Sequence, residues 1–166
     1  SPKMLSYCFF YQIYSMMVVL FFSFLVLSCS QDVQQNALDQ DDVVLAETVG
    51  TNRISFHRNT TSVESLRPLI IDRIKLAISE IGKIIRVTDV EFRVVVFPER
   101  TLPEKGMSGA APNKEHIYIL LNPDHSRLLK SLSDEMVAVI SHEYHHTLRN
   151  RTVGIASNLF EVIISE

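Results

Sequence analysis

Residues 4–28 carry no charged side chain, and Lys3 is the only charge before Asp32. That run divides the chain in two. Its most apolar stretch, Met16 to Leu27 (MMVVLFFSFLVL), is short for a bilayer-spanning helix and suits the apolar core of a secretory signal. All 19 acidic residues lie after Cys29. Without residues 1–28 the net charge is −4, against −3 for the whole 166-residue chain, because only Lys3 is removed. A balance of that sign excludes a strongly basic nucleic-acid binder. The two cysteines, Cys8 and Cys29, both belong to the N-terminal segment, so no disulfide framework staples the body. What remains is enough for one domain, and its apolar runs after residue 62 are too long for a wholly disordered chain.

Val26, Leu27 and Ser28 precede Cys29, and polar Ser30, Gln31 and Asp32 follow it. A small residue directly before a cysteine at the end of an apolar core resembles a bacterial lipoprotein signal. The resemblance implies that Cys29 is lipidated and becomes the first residue of the mature protein. An uncleaved anchor of about 20–25 residues is the other reading. Both tether the remainder to a membrane at the cell envelope, outside the cytoplasm. With Cys29 lipidated and Cys8 removed, the mature protein has no free thiol, as suits that compartment.

Residues 30–61 are polar and read as a solvated spacer, although Val43, Val44 and Leu45 form a short apolar patch where order can begin. Residues 62–166 read as one α+β domain. Thr61 and Glu64 have capping-box spacing, and Pro68 fits a first helical turn. Ile70, Ile74, Ala77, Ile78, Ile81 and Ile85 recur at steps of three and four, which predicts a helix to about Arg86. Val90 to Phe97, rich in β-branched and aromatic residues and stopped by Pro98, predicts a strand. Residues 98–115 read as a long loop, functional or plain, and Ile117 to Leu121 as a second strand.

The chemistry lies on the next helix. Ser133 is a suitable N-cap, with Asp134 and Glu135 complementing the helix dipole. Met136, Ile140, Tyr144 and Leu148 form a core-facing stripe. Inside this helix His142 and His146 are four apart, so about 400° of rotation stacks them one turn apart on one face. Two imidazoles so placed can ligate one Zn²⁺ at about 2.0–2.1 Å. Glu143, offset by about 100°, reaches a water at that metal without being a ligand. This is the H-E-x-x-H arrangement of a zinc hydrolase. Six His and eleven Glu would produce the pattern by chance in roughly one or two such chains per hundred, so its helical context matters. His145 also shares a face with His142, but only the pair with His146 leaves Glu143 correctly placed. His57, His116 and His125 are isolated and receive no role.

A catalytic zinc takes a third protein ligand. Glu166 follows His146 with 19 residues between, a spacing that resembles the gluzincins; Glu161, with 14 between, is the runner-up. Gly154 is expected to break the chain between two helices, the second capped by Ser157.

The resemblance extends past the motif. Gly106 to Asn113 (GMSGAAPN), His116 to Asp124 (HIYILLNPD), His142 to Arg149 (HEYHHTLR) and Leu159 to Glu166 (LFEVIISE) occur in the order and spacing of one family. It is a family of predicted Zn-dependent proteases known as domain of unknown function 2268, and the likeness covers roughly residues 63–166. The resemblance implies a zincin-like fold, zinc on His142, His146 and Glu166, and Glu143 as general base. In that family the last helix continues past the Ser-Glu pair, so the resemblance also implies that this chain stops short of a complete domain, with catalysis expected of the full gene product and not necessarily of this chain. The expected function is hydrolysis of a peptide or protein substrate. Strand 117–121 is then the expected edge for pairing with that substrate, and residues 106–112 line the cleft. The alternative is a zinc-binding or interaction lipoprotein with a degenerate peptidase fold and no catalysis.

Overall fold

A computed structural model of the chain describes the backbone of residues 42–164 and side chains as far as residue 153. The lipidation candidate Cys29, the whole segment 1–29 and Glu166 lie outside the described residues. Among those that are described, no helix is long and apolar enough to cross a membrane.

The fold is α+β, with a five-stranded mixed sheet and three helices. Two strands come from the segment expected to be spacer. β1 (Val43–Val49) and β2 (Asn52–His57) form an antiparallel hairpin. Gly50, with φ of 63°, opens its two-residue turn, where a side chain would be strained. Regular structure is therefore already present at residues 43–57, within the segment expected to be spacer. A 3₁₀ segment, Arg58–Leu66, leads into α1 (Arg67–Gly82). The expected capping box does not form: Thr61 lies inside the 3₁₀ segment and its hydroxyl donates back to the Arg58 carbonyl. Pro68 does sit in the first turn of α1. The helix ends at Gly82, short of the predicted Arg86, so Ile85 projects from the end of the stripe.

β3 (Glu91–Val96) pairs in parallel with β2 after the crossover through α1. The chain then passes a 3₁₀ turn at Pro98–Arg100 to β4 (Met107–Ala110), a short strand within the expected loop. β5 (His116–Leu121) inserts between β3 and β4, parallel to the first and antiparallel to the second. The spatial order β1-β2-β3-β5-β4 makes β1 and β4 the edges and places β5 inside. The expectation that 117–121 is the edge is thus corrected.

α2 (Leu128–Asp134) and α3 (Met136–Ile164) complete the domain. Ser133 lies within α2 and caps nothing. α3 runs through Gly154 and Ser157, so the expected break is absent.

One face of the sheet meets the helices. Ile54 and Phe56, Phe92 and Val94, Ile117, Ile119 and Leu121 alternate along three strands and are buried. They pack on Ile70, Ile74 and Ala77 of α1 and on Met136, Ile140 and Tyr144 of α3. Each aliphatic side chain so buried contributes about 1.5–3 kcal/mol. The stripe read from sequence is therefore the face that seats α3. Tyr144 adds a polar tie, its hydroxyl donating to the Arg86 carbonyl at 3.0 Å.

The other face carries Ser55, Arg93 and Tyr118, buried beside Glu91 and His116. Ser55 Oγ donates to Glu91 Oε1 at 2.6 Å, and Arg93 Nη2 lies 3.1 Å from the same oxygen. His116 Nε2 is 3.6 Å from Oε2. His116, Ser55 and Arg93 together hold the Glu91 carboxyl at a pKa of about 2, against the opposing effect of burial.

Candidate metal centre

The stripe that buries one side of α3 fixes which side stays open. Met136 and Ile140 have no exposed surface and Tyr144 has 2%, while His142 is exposed and His146 half-buried. The two imidazoles meet as their spacing predicts. Their Nε2 atoms are 3.0 Å apart, with ring planes at 80°. Two nitrogens at about 2.0–2.1 Å from one tetrahedral Zn²⁺ are roughly 3.3 Å apart, so small side-chain rotations suffice to admit the ion. At that distance one Nε2–H can donate to the other's lone pair, the direction depending on the tautomers. Burial pushes the His146 pKa down, and the neighbouring His142, Arg149 and His145 push it the same way. That favours the neutral imidazole, the form that ligates metal.

Glu143 is half-buried, beside the pair and offset from it. Burial raises its pKa; the charge on His142 and the backbone N–H of Ala111 pull it down. The N–H comes from just beyond β4, so the edge strand helps aim the carboxylate. That approach requires Gly109. A Cβ there would lie 2.6 Å from Glu143 Cγ and 2.8 Å from Val139 Cγ1, closer than real Cβ atoms come. Glycine lets β4 lie directly against the helix turn that carries the motif. The G-x-x-G spacing of Gly106 and Gly109 was the available sequence signal; the contact itself was not legible.

A cleft of about 660 Å³ opens beside these groups. Val139, His142 and Glu143 form one wall, Ser108 and Gly109 the facing edge, and Leu102 and Lys105 a third side. The segment that supplies this third side is tied to α2. His125 Nδ1 accepts from the Arg127 N–H at 3.1 Å, so its Nε2–H donates to the Pro103 carbonyl at 2.7 Å. Ser131 Oγ donates to the Lys105 carbonyl. Gly106, with φ of 69°, packs where a Cβ would meet the His125 side chain at 2.7 Å.

The remaining histidines separate as the sequence suggested. His145 is exposed, its ring 5.9 Å from that of His146, and borders a different depression. His116 serves Glu91. His57 is buried and accepts from the Asn59 N–H at 3.1 Å. Among the described residues no group of three His, Cys, Asp or Glu converges on one point. On the straight backbone of α3, position 161 lies about 22 Å further along the axis than His146, so a ligand there requires the chain to bend at Gly154. A ligand at position 166 likewise requires the chain to bend at Gly154.

Arg151 fixes the far side of the motif. Its guanidinium donates to the carbonyls of Thr88 at 2.7 Å, Lys114 at 3.1 Å and Asp89 at 3.3 Å. The histidine pair therefore lies between a core-packed helix start and a clamped turn. Compared with family models, with curated proteins and with solved structures, the chain matches none.

Proposed function

We propose that the protein is a zincin-like, zinc-dependent peptidase of the bacterial cell envelope, held at the membrane by residues 1–29 with Cys29 as the lipidated residue. The observation that carries this reading is the 3.0 Å approach of His142 Nε2 to His146 Nε2, with Glu143 beside them on a cleft. The donor set fits zinc as far as it is described: two imidazoles on one helix face and a carboxylate that is not a ligand. Glu166 is the proposed third ligand, on the condition that the helix bends at Gly154. The family resemblance read from the sequence supports the same assignment.

Zinc, when bound, supplies a Lewis acid that polarises a peptide carbonyl and makes water a nucleophile near neutral pH. The chain's own residues supply the rest. Glu143 accepts the proton of the attacking water on its carboxylate and returns it to the leaving amine. Ala111 N–H and the close approach at Gly109 keep that carboxylate in place before substrate arrives. β4, as the edge of the sheet beside the cleft, offers backbone groups for an extended peptide, in the role expected of 117–121.

The test is metal content followed by hydrolysis. The full chain, purified in detergent without added metal, is expected to hold one zinc, measured by mass spectrometry. His146→Ala loses it. Glu143→Gln keeps it and lowers cleavage of a peptide library about 10²–10⁴-fold. Glu166→Gln losing zinc would establish the third ligand and the bend together. Zinc without hydrolysis in the parent chain would favour the non-catalytic zinc-binding alternative, and no zinc would remove both.

A further inference from the structure

The flank of α3 turned away from the cleft borders a second depression of about 290 Å³. Ile81, Ile84 and Ile85 from the end of α1 line one side, and Tyr144, His145 and Leu148 the other. Ile84 is 92% exposed and Ile85 43%. These two side chains stand at a corner, because α1 stops at Gly82 and the chain turns there. Cations flank them in the sequence: Lys83 and Arg86 are both exposed. The acidic group at the rim is Glu80, already paired with Lys83 at 2.7 Å.

A projecting apolar pair between cations suits one kind of partner. A protein interface of ordinary size needs about 800 Å² on each side, broad and largely uncharged at its centre. This corner is narrow and cationic at its margin. A bilayer surface matches it, with acyl chains to receive the isoleucines and anionic headgroups to meet Lys83 and Arg86.

We propose that the Lys83–Arg86 corner and its adjoining groove dock the folded domain onto an anionic membrane surface. The contact is separate from the N-terminal run and does not depend on the metal reading. Docking by this flank orients the domain. By helical geometry the groove lies about 130° round α3 from His142 and His146, so the histidine pair stays clear of the bilayer and the cleft opens beside it.

The chain contains no tryptophan, so one introduced indole reports its own surroundings. The full chain carrying Ile84→Trp is reconstituted in phosphatidylcholine vesicles with or without phosphatidylglycerol. Leu129→Trp, at a position 57% exposed on α2, is the control. In anionic vesicles the Ile84→Trp emission is expected to shift blue and to be quenched by acyl-brominated lipid several-fold more than the control. Adding Lys83→Glu and Arg86→Glu should bring quenching down to the control level, since each surface cation is worth about fivefold in membrane affinity. Removing phosphatidylglycerol should do the same. Water-like, unquenched emission in anionic vesicles would overturn the proposal, as would failure of the chain to associate with them. Quenching that survives both charge reversals would also overturn it. So would a blue shift that ignores brominated lipid and grows with protein concentration, which would assign the groove to a second copy.

Discussion

Among the described residues, two of the clusters that combine histidine with a carboxylate are built in opposite ways. Around Glu91, Ser55 and Arg93 occupy one carboxylate oxygen and His116 faces the other. The group is saturated, its pKa falls to about 2, and nothing is left to bind a ligand. Around Glu143 the balance is reversed. Burial raises the pKa, and the side chain borders a cleft with a backbone N–H and a histidine as its neighbours. The adjacent imidazoles face each other rather than an acid. A saturated polar cluster holds a fold together, whereas an undersatisfied one beside open space is where chemistry is to be sought.

The sharpest way to break the open cluster without touching its charges is Gly109→Ala. The added methyl displaces β4 from α3 at Glu143. Peptide hydrolysis is expected to fall about 10²-fold with zinc retained, because an ångström of misplacement suffices for such a loss. Full activity in this variant would mean that the strand yields and the close approach is dispensable.

Glu91→Gln tests the closed cluster. The parent's folded pKa is depressed, so Glu91 contributes stability above the unfolded value near 4.5, and that contribution is lost as pH falls through about 2. Urea melts should show the variant less stable by about 2 kcal/mol at pH 7, with the gap closing between pH 5 and 2. Its zinc content should not change. A gap independent of pH would show that the network's contribution is not electrostatic.

The smallest effect is expected at His145→Ala. Zinc stoichiometry and hydrolysis should stay within about twofold of the parent, the range of ordinary surface changes. A large loss would move the metal to the 142/145 pair.

The helix bearing the open cluster was legible because periodicity alone decides it. Met136, Ile140 and Tyr144 are buried where the spacing put them. β3 and β5 were legible as runs of β-branched and aromatic residues. β1 and β2 were not. β1 is largely exposed, with Val44 and Leu45 facing outward. β2 buries Asn52, Ser55 and His57, polar letters that read as spacer until their partners are known. Asn52 donates to the Val87 carbonyl at 3.0 Å and accepts from the Val90 N–H, both distant in sequence. Tertiary hydrogen bonds of this kind make polar residues into core residues, and no local pattern records them. β4 was missed for a related reason: four residues including a glycine carry no strand signal, and the strand exists because β5 and α3 frame it. The edge was misassigned because sequence order does not reveal that β5 inserts inward. Of the site, the His142–His146 meeting and the offset of Glu143 followed from helical geometry; the roles of Gly109 and Ala111 did not.

The strand order has a consequence for how the molecule comes into being. Two of its four strand pairings are parallel and must wait for long crossovers, and β5 has to slot between strands made earlier. The sheet is complete only at Leu121, and α3 leaves the ribosome after it. Until Met136, Ile140 and Tyr144 arrive, part of the apolar surface of β3 and β5 has no cover. A nascent chain halted between those points would be sticky and would call for a chaperone. The histidine pair, riding on the helix that closes the core, is assembled last, so under the proposed zinc reading metal loading would report completed folding.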